Sequence, residues 1–406
     1  MRVVAVLGGS GAATPELAAA LAAAGVDGLE LRLIGRDAAK LAKVSAAAQA
    51  LAGSLRIVAG SEIARGVSGA EIVLNQVRVG GLPARAFDET FPREFGIPGE
   101  ETLGAGGFAN ALRTVPVAVD LARAVEREAP DAWFVNLTNP AGIVHQAIER
   151  ATALKVLSVC DSPASLIENA RAAAGADPAE VVDAGYLGMN HVGWLCGLRR
   201  AEQDLLPAAL EAYAGDVRAL IESDLVRALG VIPGPYLRYY YHPDRMLAGQ
   251  AGRRARAEEL LDLERELLEA YGGVVTERPE PLARRGAAWY GKAAVPAIAG
   301  LLGRRDVSLV AGRRNGEAVG WLPPGAVVEL PSIIRRDGVE RSAAVCPPGD
   351  VRALLQAHAA FEELTVEGVL EQDDAKLLRA LVANPMIPSS GVARAVLRRA
   401  REFKGI

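Results

Sequence analysis

The sequence predicts an α/β protein in which a doubly wound parallel sheet at the amino terminus is followed by a carboxyl-terminal α+β portion. Three observations carry this. Over the first third, short apolar runs alternate with Ala-rich stretches of helix length, the pattern of parallel strands joined by crossover helices. A Gly-rich turn stands where the first run ends. After about residue 185 the rhythm changes to longer helical segments mixed with irregular loops.

Taken in order, Val3–Leu7 reads as a strand, Pro15–Ala24 as a helix, Leu29–Ile34 as a strand and Ala38–Ala52 as a helix. Leu55–Val58, Glu71–Val77, Trp133–Leu137 and Lys155–Cys160 continue the strands. In such a sheet, ligands sit outside the carboxyl ends of the strands. Further on, Arg253–Tyr271 reads as a charged amphipathic helix, Val327–Arg335 and Val339–Val345 as a hairpin around Arg-Asp-Gly, and Asp350–Lys404 as mostly helical. The division expected is 1–185 and 186–406, with no Ser/Gly linker between them, so the two portions should share a broad interface.

A chain of 406 residues, 50% hydrophobic and 23% charged, can bury two or three packed domains and is not disordered. Lys plus Arg number 45 against 49 Asp plus Glu, a net charge of −4, so no global field draws the chain to nucleic acid. Three cysteines, Cys160, Cys196 and Cys346, are too few and scattered for a disulfide framework and point to a reducing compartment. The apolar run before Gly8 is too short for a signal peptide or membrane span, so a cytoplasmic protein with no membrane partner is expected.

Gly8-Gly9-Ser10-Gly11 lies between the first strand and a helix, with Thr14 and Pro15 placed as N-cap and N1. Such a turn lets a pyrophosphate approach the backbone, and the helix amino terminus favours its charge. The spacing is not G-x-G-x-x-G, and a purely structural turn is an equal reading of the motif alone. Its position in the first βα unit, with Asp37 after the second strand, supports a Rossmann-like dinucleotide site. Asp37 could accept from ribose hydroxyls of NAD, whereas Arg36 could admit the 2′-phosphate of NADP; NAD is favoured.

From Gln76 to Arg113 the chain reads QVRVGGLPARAFDETFPREFGIPGEETLGAGGFANALR, a Gly- and Pro-rich stretch of about thirty residues where an ordinary βα loop would be short. Long ordered loops at strand ends usually carry function. Asn136 and Asn139, in NLTNP, can cap a helix or hold sugar hydroxyls or a nicotinamide. Cys160 in CDSP and His191 in GMNH could together bind a metal while leaving positions open for substrate oxygens; singly, each is as well explained by core packing. Tyr236 opens a cluster holding half of the eight tyrosines, most of which must serve packing. A phenol acts as a base at neutral pH only beside a cation or metal. Arg253, Arg254 and Arg256 begin a helix, where cations oppose the dipole unless an anion compensates.

With these segments together, the sequence resembles glycoside hydrolase family 4, and within it the 6-phospho-β-glucosidase branch. The likeness runs over almost the whole chain: GGS then TPEL, QVRVGGLPAR, GEETLGAGGFANALR, NLTNPAGIV, CDSP, GMNHVGW, PYLRYYY, RRARAEELLDLE and VVELP. It implies a lactate/malate dehydrogenase-like fold and an NAD- and metal-dependent redox elimination, this family being a named exception to the two-carboxylate scheme. Hydride leaves C3 of the sugar for NAD⁺, a base removes the acidified C2 proton, the C1 aglycone is eliminated, water adds, and hydride returns.

On this resemblance Cys160 and His191 match metal ligands, with Mn²⁺ the usual ion, and Tyr236 matches the base. Asp161 falls where α-type members carry Asp and β-type ones often Asn, and could protonate the leaving group. Arg85, Asn139, Asn190 and Arg256 fall on the substrate side, an Arg being a plausible partner for a 6-phosphate. Gly8, Gly9, Ser10, Thr14, Arg36, Asp37, Arg78 and Asn136 form the expected cofactor set. A homodimer or homotetramer acting on a phosphorylated glycoside is implied. The turn lacks the family's usual tyrosine and is one residue longer, GEET replaces GQET, and IGRD replaces YDID. Competing readings are a family member acting on α- or unphosphorylated glycosides, a 2-hydroxy-acid dehydrogenase, a non-catalytic dinucleotide sensor, and a cysteine hydrolase using Cys160.

Overall fold

The computed structural model describes residues 2–26, 28–177, 180–215, 221–286 and 289–403. Six parallel strands open the chain: β1 (Arg2–Leu7), β2 (Leu29–Ile34), β3 (Arg56–Gly60), β4 (Ile72–Asn75), β5 (Trp133–Asn136) and β6 (Lys155–Val159). They lie side by side as β3-β2-β1-β4-β5-β6, the order of a doubly wound dinucleotide fold. The inner strands β1, β4, β5 and β6 are rich in Val, Leu and Ile because they are buried on both faces, whereas the edge strand β3 is mostly exposed. One face packs on the helices Thr14–Ala23 and Ala38–Leu51, the other on Gly104–Glu128 and Ala141–Ala151.

The sheet does not stop at β6. The later strands are β7 (Asp183–Met189), β8 (Val192–Arg200), β9 (Gln203–Asp204), β10 (Ile232–Pro233), β11 (Val307–Arg314), β12 (Val327–Arg335) and β13 (Gly338–Arg341). β11 runs antiparallel onto β6, pairing Ala311 with Val159 and Gly312 with Ser158. β12, β7, β8 and β10 then extend the same sheet, with β13 on β12 and β9 on β8. The edge that β6 would otherwise expose is thereby satisfied by the second portion of the chain. The hairpin expected around residue 337 is β12 and β13, the second strand ending at Arg341.

The stretch from 76 to 113 is mostly not loop. It folds as a helix, Gly81–Thr90, a 3-10 turn, Phe91–Phe95, and the start of the long helix Gly104–Glu128. Pro83 and the many glycines hid the first helix from a propensity reading. Gly106 and Gly107 have a packing reason: a Cβ on either would stand 2.0 Å from the Glu100 or Thr102 carbonyl oxygen. The long helix therefore begins against its own incoming strand of chain. Its far face packs on Phe361, Leu381 and Val396 of the carboxyl-terminal helices Gly349–Leu370, Asp374–Ala383 and Ser390–Glu402.

Glu329 of β12 is a carboxyl buried in the sheet, opposite Gly188 of β7, accepting from the Tyr186 hydroxyl at 3.4 Å. Burial raises it to about 7, with Glu362 adding to the rise. The native state thus keeps a proton that the unfolded chain loses near the ordinary value of 4.5. Native protein binds more protons between those limits, so this group favours folding at the acid end and its contribution falls as pH rises. In Glu329→Gln the stability difference from the parent should shift in the variant's favour by up to ~1.4 kcal/mol per pH unit across that window. Urea melts at successive pH values would show it, and parallel curves would assign the proton elsewhere.

Candidate active site

The carboxyl ends of β1, β2, β4, β5 and β6 open into a cleft of about 1080 Å³. Gly8, Ser10 and Gly11 line it, as do Arg36, Asp37, Arg78, Arg85, Asn139, Cys160, Asp161, His191 and Tyr236. The fold thus brings most of the predicted residues to one space. Gly9, Thr14, Asn136, Asn190 and Arg256 do not line it.

The turn after β1 is shaped by its own packing. The Gly8 and Gly9 amides both donate to the Ile34 carbonyl, at 3.1 and 2.8 Å. Gly8 has φ +82°, and a Cβ on Gly9 would stand 2.7 Å from the Ile34 nitrogen. Thr14 is not the N-cap; Ala13 holds that position without a side-chain bond, and Thr14 is the first helical residue. Its buried hydroxyl accepts instead from Gln76 Nε2 at 3.0 Å. Gln76 is the hub of this end: Nε2 also donates to the Gly8 carbonyl at 3.2 Å, and Oε1 accepts from the Tyr290 hydroxyl at 2.6 Å. A glutamine after a strand carries no sequence signal for such a role, since its partners come from the first and last thirds of the chain.

At the other end of the cleft Asp37 Oδ1 caps the helix Ala38–Leu51, accepting from the Lys40 amide at 2.9 Å. The Lys40 ammonium is paired with Glu264 at 2.5 Å. Arg36 is exposed beside them. Asn136 is wholly buried, accepting from Asn75 Nδ2 at 2.9 Å and donating to the Thr138 carbonyl at 3.0 Å, so it shapes the β5 turn from behind. Asn190 likewise ties two turns together, its Oδ1 accepting from the Ala141 amide at 3.1 Å.

Arg78 and Arg85 converge on Glu101, which sequence reasoning missed. Arg78 pairs with its Oε2, and Arg85 Nη1 lies 2.9 Å from Oε1. Arg85 Nε also donates to Glu89 at 2.6 Å, and the second Glu89 oxygen accepts from the Ala257 amide at 2.8 Å. Burial would raise the Glu101 carboxyl, but the two guanidinium groups hold it below its usual range. Arg256 is placed on the first turn of the helix Arg256–Ala270, half-exposed and 2.6 Å from Glu259. The helix-start cation thus finds its anion within its own turn.

Cys160 directly follows β6 and precedes the helix Asp161–Ala173; its thiol lies 3.9 Å from Asp161 Oδ1. Burial, with Glu329 and Asp161 nearby, pushes the thiol up to about 12. His191 occupies the turn between β7 and β8 with φ 67°, and its ring stacks on Tyr236 at 3.7 Å with 3° between planes. Burial lowers His191 to about 3, leaving a neutral imidazole, the form that ligates metals. Its buried Nδ1 has no hydrogen-bond partner among the described residues. A thiol and a neutral imidazole in one cleft fit a divalent transition ion. Among the described residues no group of three or more His, Cys, Asp or Glu is placed to hold a metal ion, so an ion held by this pair would keep positions open to substrate oxygens. Tyr236 belongs to the 3-10 turn Pro235–Leu237, and its phenol is raised by burial first, then by Glu100 and Cys160. Tyr240 and Tyr241 pack edge-on to each other at 5.1 Å.

A doubly wound sheet whose Gly-rich turn shares one cleft with a thiol, an imidazole and a phenol defines a Rossmann-type enzyme rather than a simple binding module. The family 4 glycosyl hydrolase model matches residues 2–175 and the model of that family's C-terminal domain matches residues 186–387. The chain belongs to glycosyl hydrolase family 4, and is a glycosidase. It is 33% identical over 349 residues, 81% of this chain and 77% of the relative, to a probable 6-phospho-β-glucosidase of Bacillus subtilis. A maltose-6′-phosphate glucosidase of the same organism is 28% identical, over 80% of this chain and 77% of its own. The 6-phospho-β-glucosidase of Thermotoga maritima, solved with manganese, NAD⁺ and glucose 6-phosphate, superposes with a TM-score of 0.91 at 27% identity, covering 99% of this chain and 98% of that one.

The hub at Gln76 gives a stability prediction. Gln76→Leu takes the Gln76 bonds from the buried Tyr290 and Thr14 hydroxyls and leaves them only each other, each unmade bond costing about 1–3 kcal/mol. Chemical denaturation should show the loss, and Gln76→Glu, which keeps an acceptor for Tyr290, should recover part of it.

Proposed function

We propose that the protein hydrolyses 6-phospho-β-glucosides by a redox elimination that depends on NAD and a divalent metal, with Mn²⁺ the expected ion. The observation that carries this reading is that Cys160, His191 and Tyr236 share one cleft with the Gly8–Gly11 turn. Relatives named as 6-phospho-β-glucosidases, and a similar structure holding manganese, NAD⁺ and glucose 6-phosphate, support it. When bound, the dinucleotide supplies a reversible hydride acceptor and the ion a Lewis acid for sugar hydroxyls.

The chain's own residues then have separate tasks. The turn at Gly8–Gly11 leads into the amino terminus of the helix Thr14–Ala23, a place suited to pyrophosphate. Cys160 and His191 would hold the ion. Tyr236, held flat on His191, would take the C2 proton; its raised phenol can do so only where positive charge offsets its burial. Asp161, whose carboxyl is raised mainly by burial, would serve as the proton donor to the departing aglycone. Arg85 and Asn139 line the substrate side. In this reading residues 1–185 hold the dinucleotide, 186–406 complete the sugar site, and the protein works in the cytoplasm as a homodimer or homotetramer. Asp161 also favours a second reading, an α-glycoside substrate, since α-type members carry Asp at this position.

A panel of nitrophenyl α- and β-glycosides, with and without 6-phosphate, assayed with NAD⁺, Mn²⁺ and reductant, tests the proposal. Turnover should be greatest on the phosphorylated β-glucoside, and no turnover on any of the four would sink it. Cys160→Ser should lose manganese binding while NAD⁺ still binds. Tyr236→Phe should suppress exchange of the C2 proton with solvent by about a hundredfold or more. Exchange at the parent rate would move the base to another residue.

A further inference from the structure

Several cations line the cleft, and most are spoken for. Arg78 and Arg85 share Glu101, and Lys40 is paired with Glu264. Arg36 is exposed and solvated. Arg285, the last residue of the helix Glu280–Arg285, differs from all of these. It is mostly buried, lines the cleft, and among the described residues has no carboxylate within ion-pair distance and no hydrogen-bond acceptor.

Its surroundings make that placement costly. Burial, and repulsion from Arg78 and Arg85, lower its pKa from the ordinary value; only Tyr290 and the already shared Glu101 oppose this. An unpaired guanidinium partly withdrawn from water, with Arg78 and Arg85 repelling it, is unfavourable unless an anion completes the set. The Tyr290 hydroxyl, which acts on Arg285, is held by Gln76, itself bonded to the Gly8 carbonyl. Arg285 thus lines the cleft that also holds the Gly-rich turn and the Arg78–Glu101–Arg85 group. A guanidinium fork matches the oxygens of a phosphate, and a dry site strengthens that match.

We infer that Arg285 is a phosphate-binding residue, kept buried and unpaired so that a phosphorylated ligand entering the cleft supplies its counter-ion. The inference rests on the phosphoglycosidase reading, which offers two sources of that one chemistry: the pyrophosphate of the dinucleotide and the 6-phosphate of the sugar. It also supplies a cation in the cleft that Arg256, turned to Glu259 outside it, does not.

The test compares full-length parent, Arg285→Met and Arg285→Lys by calorimetric titration with NAD⁺, glucose 6-phosphate and glucose, with thermal melts of the ligand-free proteins. Arg285→Met should weaken one of the two phosphorylated ligands at least about tenfold, Arg285→Lys should recover part of the loss, and the ligand-free melting temperature should hold or rise. Loss confined to NAD⁺ assigns the pyrophosphate; loss on glucose 6-phosphate but not on glucose assigns the sugar phosphate. Parent-like affinity for both ligands, or equal losses on glucose 6-phosphate and glucose with a lowered melting temperature, would overturn the inference. A parent protein that binds neither phosphorylated ligand would instead defeat the proposed function.

Discussion

The site depends on one hydrogen-bonded sheet running through both portions of the chain. Cys160 leaves the end of β6, and His191 turns between β7 and β8. Nothing local in the sequence relates them. Their relation is set by two intervening strands: β11 pairs with β6 at Val159, and β12 pairs with β7 at Gly188. Strand spacing is fixed by backbone bonds, so the position of an imidazole relative to a thiol is as rigid as the sheet itself. The same pairing buries the β6 edge, and folding of the second portion and assembly of the site are thus one event.

Within that frame the cleft sorts its charges. The thiol, imidazole and phenol are neutral because burial penalises each charged form, whereas Glu101 stays ionised because two arginines surround it. The neutral trio and the ionic group are neighbours, since the Glu101 carboxylate acts on both His191 and Tyr236.

The parallel half of the fold was legible because most strands are short apolar runs separated by helix-length stretches, so β1 to β6 appear within a residue or two of the expected bounds. What the sequence concealed was long-range. The antiparallel docking of β11 on β6 joins residues about 150 apart and leaves no periodic trace. Residues 81–90 look like loop because Pro83 and the flanking glycines mask a helix whose buried face includes Asp88 and Glu89. Thr14 looked like a cap by spacing, but Gln76 claims its hydroxyl. Chemically distinctive residues, a cysteine and a histidine at strand ends, could be picked out by type; Gln76, whose partners include the distant Tyr290, Glu101, set between Arg78 and Arg85, and the unpaired Arg285 carry no such local signal. Arg256 shows the converse, a cation suggestive in sequence that an i+3 glutamate satisfies.

Neutrality at rest has a consequence for how the site is used. A phenol already ionised beside Glu100 and Glu101 would be repelled by them, and an ionised thiol beside Asp161 and Glu329 would be too; the fold sets carboxyl groups against both charges. The base role proposed for Tyr236 is therefore conditional on positive charge arriving at the His191 face on which its ring lies flat. The stacked geometry makes that dependence short-range, since the two rings are in contact and Coulomb attraction falls with distance. In the proposed function, a base armed only when its ligand-side charge is in place would remove protons from a correctly seated sugar and spare other molecules that enter the cleft.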